Sequence, residues 1–108
     1  MSERNINHAN TYASRATLRK IVHITGKTGT AAALRAALAD LETATRREAG
    51  CVSFTFFQAL SAEDHFLLIE DFVGAADLEA HMQQPHTRAF FARNLVERIE
   101  AMGKDWLS

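Results

Sequence analysis

The sequence predicts an α+β domain of the ferredoxin-like, split βαβ kind: an antiparallel sheet with both helices on one side. Three observations lead there. The hydrophobic period switches along the chain in the order strand, helix, strand, strand, helix, with a short C-terminal segment left over for a fourth strand. Two strand-to-strand crossovers through helices flank one hairpin, which is the connectivity of that arrangement. A length of 108 residues suits one hydrophobic core and is too short for two.

Each element has its own warrant. Residues 1–15 are polar and without hydrophobic period, and are expected to form a flexible arm ahead of a domain spanning residues 16–108. TLRKIVHIT, from Thr17 to Thr25, is rich in β-branched residues and alternates, with Leu18, Val22 and Ile24 on one side and Ile21 and His23 on the other. GKTG breaks that strand. Thr30 is placed to cap a helix of about 20 residues whose apolar stripe is Leu34, Leu38 and Leu41, with Glu42 and Arg46 paired one turn apart and Gly50 as its stop. CVSFTFFQAL alternates again, Val52, Phe54 and Phe56 on one face and Cys51, Ser53, Thr55 and Phe57 on the other. In HFLLIEDFV, Phe66, Leu68, Glu70 and Phe72 oppose Leu67, Ile69, Asp71 and Val73, so this strand is apolar on both faces. Gly74 opens a short helix with Leu78, His81 and Met82. Pro85 interrupts it, and a second helical stretch continues through Phe91, Leu95, Ile99 and Met102. The tail GKDWLS remains for the fourth strand.

Composition removes several classes of function. Lys plus Arg number 12 against 13 Asp plus Glu, so no basic field exists to gather phosphates and nucleic acid is not an expected partner. No apolar run approaches the roughly 18 residues of a membrane span, and MSERNINHANTYASRA lacks the apolar centre of a signal peptide, so no membrane partner is expected and the expected location is the cytoplasm. The single cysteine, Cys51, excludes an internal disulfide framework and a cysteine-built zinc site, in keeping with a reducing compartment. With both helices on one side, the second sheet face needs a cover. Each fully buried Phe, Leu or Ile gains on the order of 1.5 to 3 kcal/mol, so a homodimer joined sheet to sheet is the expected solution.

REAGCVSF leading into the second strand, and FLLIEDFVGAADLEAHMQQPHTRAF across the third strand and the next helix, closely resemble the antibiotic biosynthesis monooxygenase-like domain of the dimeric α/β barrel superfamily. The resemblance covers roughly residues 17 to 103. It implies the ferredoxin-like fold and a sheet-to-sheet dimer. Within the family, activities range over cofactor-free oxidation of quinols or anthrones, isomerisation of signalling sugars and haem degradation, so fold alone does not choose among them. The residues that haem-degrading relatives use correspond to Val22, His81 and Phe91 here; all three differ, and haem is rejected. The Asn, Trp and Tyr of anthrone monooxygenases fall at Leu68, Phe72 and Leu78, so that polar set is absent too. The quinol-oxidising and signal-processing relatives share the His-x4-Pro-His helix, present as His81, Pro85 and His86.

His81 follows Leu78 by three residues, on or beside the helix face that looks toward the sheet, where a neutral imidazole accepts a proton from a bound phenol or simply ties helix to sheet. His86 starts a helix, whose dipole disfavours the imidazolium and keeps the ring an acceptor. The two do not read as a metal pair: a proline lies between them, their spacing is not that of one helical turn, and no third ligand accompanies them. Glu70, flanked on its face by Leu68 and Phe72, needs a basic partner such as His81 or a place at a pocket mouth with a raised pKa. His23 is a further candidate for the pocket wall, as are Leu68, Phe72 and Leu78.

The functional expectation is a cofactor-independent monooxygenase, an oxidoreductase acting on a small aromatic or quinol-type substrate. In it His81 removes the hydroxyl proton, Glu70 orients His81 and His86 assists, with neither metal nor flavin. The alternative is a non-catalytic dimeric module that binds a small metabolite, favoured by a pocket without histidine or carboxylate on its wall. A third reading, isomerisation of a small phosphorylated sugar, needs cations in the cavity, for which Arg88 and Arg93 are the nearest supply.

Overall fold

A computed structural model describes residues 17–103; the expected N-terminal arm and the last five residues of the tail lie outside the described residues. The elements are β1 (Leu18–Gly26), α1 (Ala31–Thr45), β2 (Cys51–Gln58), β3 (His65–Phe72), α2 (Ala75–Gln83), α3 (Pro85–Ala92) and β4 (Val96–Ala101). The four strands form one sheet in the order β2-β3-β1-β4, every pair antiparallel. This is the split βαβ arrangement that the order of periods implies. No helix among the described residues is long and apolar enough to cross a membrane.

Parity along the strands decides which residues meet the helices. The register Val22↔Leu68, Ile24↔Phe66, Phe54↔Glu70 and Phe56↔Leu68 sets these side chains on one face. Ile24, Phe54, Phe66, Leu68 and Phe72 there join Leu34, Ala37, Leu38 and Leu41 of α1 and Phe90 of α3 in a single core. The opposite face carries Ile21, His23, Leu67, Ile69 and Phe57, and the core includes none of them. Cys51 departs from the expected alternation. A bulge between Cys51 and Ser53 pairs Cys51 with Phe72, so the thiol packs against the core and not beside Ser53.

Two expected boundaries move. Helix α1 has 15 residues and not about 20, because Arg46 leaves the helix to serve the free edge of β2. Its Nε donates to the Phe54 carbonyl at 2.9 Å and its guanidinium to Thr55 Oγ1 at 3.0 Å, while a Glu42 carboxylate oxygen accepts from the Phe56 N–H at 2.8 Å. The expected Glu42–Arg46 pair is present at 3.5 Å and fixes both groups on that edge. Thr30 occupies the cap position, but its hydroxyl donates backward, to Lys27 O and Leu95 O, and does not cap an amide of the helix. The second correction is larger. Residues 96–101 are strand β4, whereas spacing alone predicts helix through Met102 and a strand in GKDWLS. Asn94 turns the chain at φ 56°, a region asparagine tolerates, and β4 then satisfies the edge of β1 that β3 leaves open.

Candidate functional site

Between the helix-facing side of the sheet and the helices lies a cavity of about 350 Å³. Val22, Ile24, Phe54, Phe56 and Leu68 form its sheet wall, with Lys20 and Glu70 also on it. Leu38 and Leu41 of α1, Leu78, His81 and Met82 of α2, and Phe90 and Phe91 of α3 close it from the other side. The wall is mostly hydrocarbon and aromatic, with a few polar groups, the composition of a site for a small apolar ligand with one or two polar handles.

His81 is 4% exposed and sits between Phe54 and Phe72, with ring centroids 5.2 Å from each. Its Nδ1 lies 2.9 Å from Glu48 Oε2 and 3.4 Å from Thr87 Oγ1. A carboxylate only accepts, so Nδ1 carries the proton in this bond and, in the neutral ring, Nε2 carries the lone pair. No hydrogen bond to Nε2 occurs among the described residues. The pairing expected of Glu70 with His81 is therefore not formed; Glu48, in the turn between α1 and β2, holds the ring instead. Glu48 lies in the charged segment TRREAG, whose composition marks no one residue for burial, and its one sequence signal is its place in REAGCVSF.

Glu70 stands on the cavity wall, 7% exposed and opposite Lys20 in the register with β1. Burial pushes its carboxyl up to about 6, and the Lys20 charge opposes that shift without reversing it. Burial and then the nearby Glu48 charge raise the Cys51 thiol, which keeps it protonated and unreactive.

The other expected site residues divide. Leu68 and Leu78 line the cavity; Phe72 lies behind His81, 1% exposed, and is not on its wall. His23 is on the opposite side of the sheet, as its odd parity with Ile21 dictates, in a hollow with His65, Phe57 and Leu67. There His23 Nε2 meets His65 Nδ1 at 2.9 Å with the rings stacked, and Glu100 approaches to 3.6 Å. His86 faces a separate groove with Asp40, Ala89 and Arg93, and its Nε2 reaches the same Glu48 Oε2 at 2.5 Å. It therefore donates to a carboxylate through Nε2, and in the neutral ring the lone pair stays on Nδ1, away from the main cavity. Arg93 stays in that groove and Arg88 pairs with Gln83 on the surface, so neither brings a cation to the main cavity.

Glu48, His81 and His86 also revise the ligand count. One donor atom of each lies within 4.8 Å of the others, and the proline that separates the two histidines in sequence is what brings them together. Gln84, extended at ψ 145° ahead of Pro85, breaks the helical line and folds His86 back until the two rings are 6.3 Å apart.

A family profile described as antibiotic biosynthesis monooxygenase matches residues 17–93, which include every cavity residue named above. The chain belongs to the antibiotic biosynthesis monooxygenase family. Among solved structures, PA3566 from Pseudomonas aeruginosa is 30% identical, superposes with a TM-score of 0.75, and is matched over 80% of this chain and 89% of its own. SO0527 from Shewanella oneidensis is 27% identical with a TM-score of 0.73, over 82% of this chain and 89% of its own. Rv0793 from Mycobacterium tuberculosis, 24% identical with a TM-score of 0.70 over 82% of this chain and 94% of its own, shares the fold. No curated protein matches the chain. Membership in the antibiotic biosynthesis monooxygenase family accounts for the sheet order; it does not name a substrate.

Proposed function

We propose that this protein is a cofactor-independent oxygenase of a small, electron-rich hydroxyaromatic compound, a phenol or quinol, and that His81 is its catalytic base. The observation that carries this reading is His81 on the wall of an apolar cavity, its Nδ1 held by Glu48 and its Nε2 left without a protein partner among the described residues. Held in that orientation, Nε2 accepts the hydroxyl proton of a bound phenol. The surrounding Phe and Leu side chains exclude water and leave the aryloxide a strong reductant. The anion passes one electron to dioxygen and the two radicals combine at a ring carbon as a peroxide. Loss of water then leaves a carbonyl. One oxygen atom enters the product, the other leaves as water, and the hydroxyarene supplies all four electrons as it becomes a quinone. The metabolite-binding alternative anticipates a wall without histidine or carboxylate, and this cavity has both.

The reading includes a homodimer formed through the sheet face opposite the helices, which keeps the cavities on the outer, helix-covered sides. The test is oxygen uptake with a panel of naphthols and quinols. His81→Ala should lower the rate by between about 100-fold and 10,000-fold, the range typical of a lost general base. Equal uptake by wild type and His81→Ala overturns the proposal.

A further inference from the structure

We propose that Glu48, His81 and His86 form a binding site for a divalent transition-metal cation of the zinc type, and that metal at this site withdraws the His81 acceptor from the cavity. The three residues reach one point from three separate segments: the turn after α1, the end of α2 and the first turn of α3. Two imidazoles and one carboxylate are the donor set of a three-ligand zinc centre with one position left open. Glu48 Oε2 lies 2.9 Å from one imidazole nitrogen and 2.5 Å from the other. Donors around tetrahedral zinc at bond lengths of roughly 2.0 to 2.2 Å stand about 3.3 Å apart, so outward movements of less than about 1 Å admit the ion. His86 keeps 27% of its side chain exposed and faces an open groove, which gives the cation an approach and a place for its water ligand.

Charge argues the same way. The Glu48 side chain is only 10% exposed, and no Lys or Arg pairs with it among the described residues. Arg46, two residues away, is spent on Phe54 O, Thr55 and Glu42. A sequestered carboxylate bounded by two imidazoles has room for positive charge, and a divalent ion supplies it.

The consequence for the cavity follows from imidazole chemistry and rests on the oxygenase reading above. Metal on His81 Nδ1 displaces the proton that Glu48 now accepts. The ring stays neutral by giving that proton to water and taking one up at Nε2, so the nitrogen that accepted the substrate proton becomes a donor. Metal therefore silences the base.

The experiment starts from chelator-stripped full-length protein. Zinc titrated by calorimetry should bind at one ion per chain with micromolar or tighter affinity, and cobalt(II) should give the visible absorption of a four-coordinate centre. His86→Ala, at a partly exposed position, and Glu48→Gln should each weaken zinc at least tenfold. Absence of heat and of cobalt bands in wild type, or unchanged affinity in both variants, overturns the site. Long-range proton–nitrogen NMR of the imidazoles reads the switch directly: His81 Nε2 should move from the pyridine-type to the pyrrole-type position with zinc, and an unmoved signal in zinc-saturated protein overturns the switch. Oxygen uptake by the metal-free protein is measured separately. Its absence fails the oxygenase reading and leaves the metal site standing on heat, bands and NMR.

Discussion

Glu70 and His81 show how far a single residue's role is written in its surroundings. Glu70 titrates near 6 in the folded chain because burial disfavours its charge, against an ordinary value of 4.5. Between those values the folded state holds more protons than the unfolded state, so stability is highest with Glu70 protonated and falls as pH rises through the window. The full difference is worth about 2 kcal/mol at most. Glu70→Gln, which removes the charge and keeps the shape, should therefore be more stable than wild type by up to about 2 kcal/mol at about pH 8 and equal to it at about pH 4, read from urea midpoints. Equal destabilisation at both values would mean that the carboxylate is held by a partner and not merely buried. Strand parity separates Glu70 from His23 by face, so Glu70 stands on the cavity wall while His23, expected on the same wall, lies on the far side of the sheet. Glu48 was not legible that way, because its place depends on a turn and on two helices docking over it, and parity carries no information about either.

At the scale of elements, the strands were legible and the ends of the helices were not. Period two survives in β1, β2 and β3 because one face of each meets the core. From Phe91 to Met102 the apolar residues satisfy a helical spacing and a strand spacing together, and only the open edge of β1, a long-range demand, selects β4. Gly50 has a similar history. It reads as a helix stop, yet α1 ends at Thr45 and Gly50 instead lets β2 approach α2: a Cβ there would lie 2.3 Å from Asp77 Cγ and 2.4 Å from Asp77 Cβ. Asp77 Cβ is fixed to the helix backbone, so α2 itself must move. Gly50→Ala should cost about 1 to 3 kcal/mol, as overpacking does. Gly74→Ala, where a Cβ meets nothing within 4 Å, should stay within about 0.5 kcal/mol. Thermal denaturation of the two variants separates them, and similar shifts would show that the approach of α2 is not tight. The same displacement should lower oxygen uptake by Gly50→Ala, since α2 carries His81 away from Glu48.

For the whole molecule, the deciding quantity is the sheet face that no helix covers among the described residues. All three helices contribute their packing to one side of the sheet, and Ile21, Leu67 and Ile69 lie side by side on the other, with Phe57 half exposed beside them. Charged and polar groups rim this apolar centre: Arg19 paired with Asp71 at 3.3 Å, and Glu100 beside His23 at 3.6 Å and Arg98 at 3.9 Å. An apolar middle inside a charged rim is the anatomy of a specific interface. A second copy offers the same surface in return, which a two-fold axis makes self-complementary. Ile21, Leu67 and Ile69 are already part-buried and Phe57 is half exposed, so each gains a fraction of the roughly 1.5 to 3 kcal/mol of a full burial, and it is the sum over four side chains per chain and eight per pair that acts against the cost of association. Ile69 pairs with Ile21 near the centre of the patch, and Ile69→Asp would place a charge there twice in the dimer. Light scattering at micromolar concentration should give the mass of two chains for wild type and of one for Ile69→Asp. The single-chain variant should keep its helical circular dichroism, because Ile69 lies outside the core that the helices build. A wild-type protein that scatters as one chain and stays soluble would show that this face is stable in water, and the homodimer would then be withdrawn while the cavity, closed by helices of the same chain, would stand.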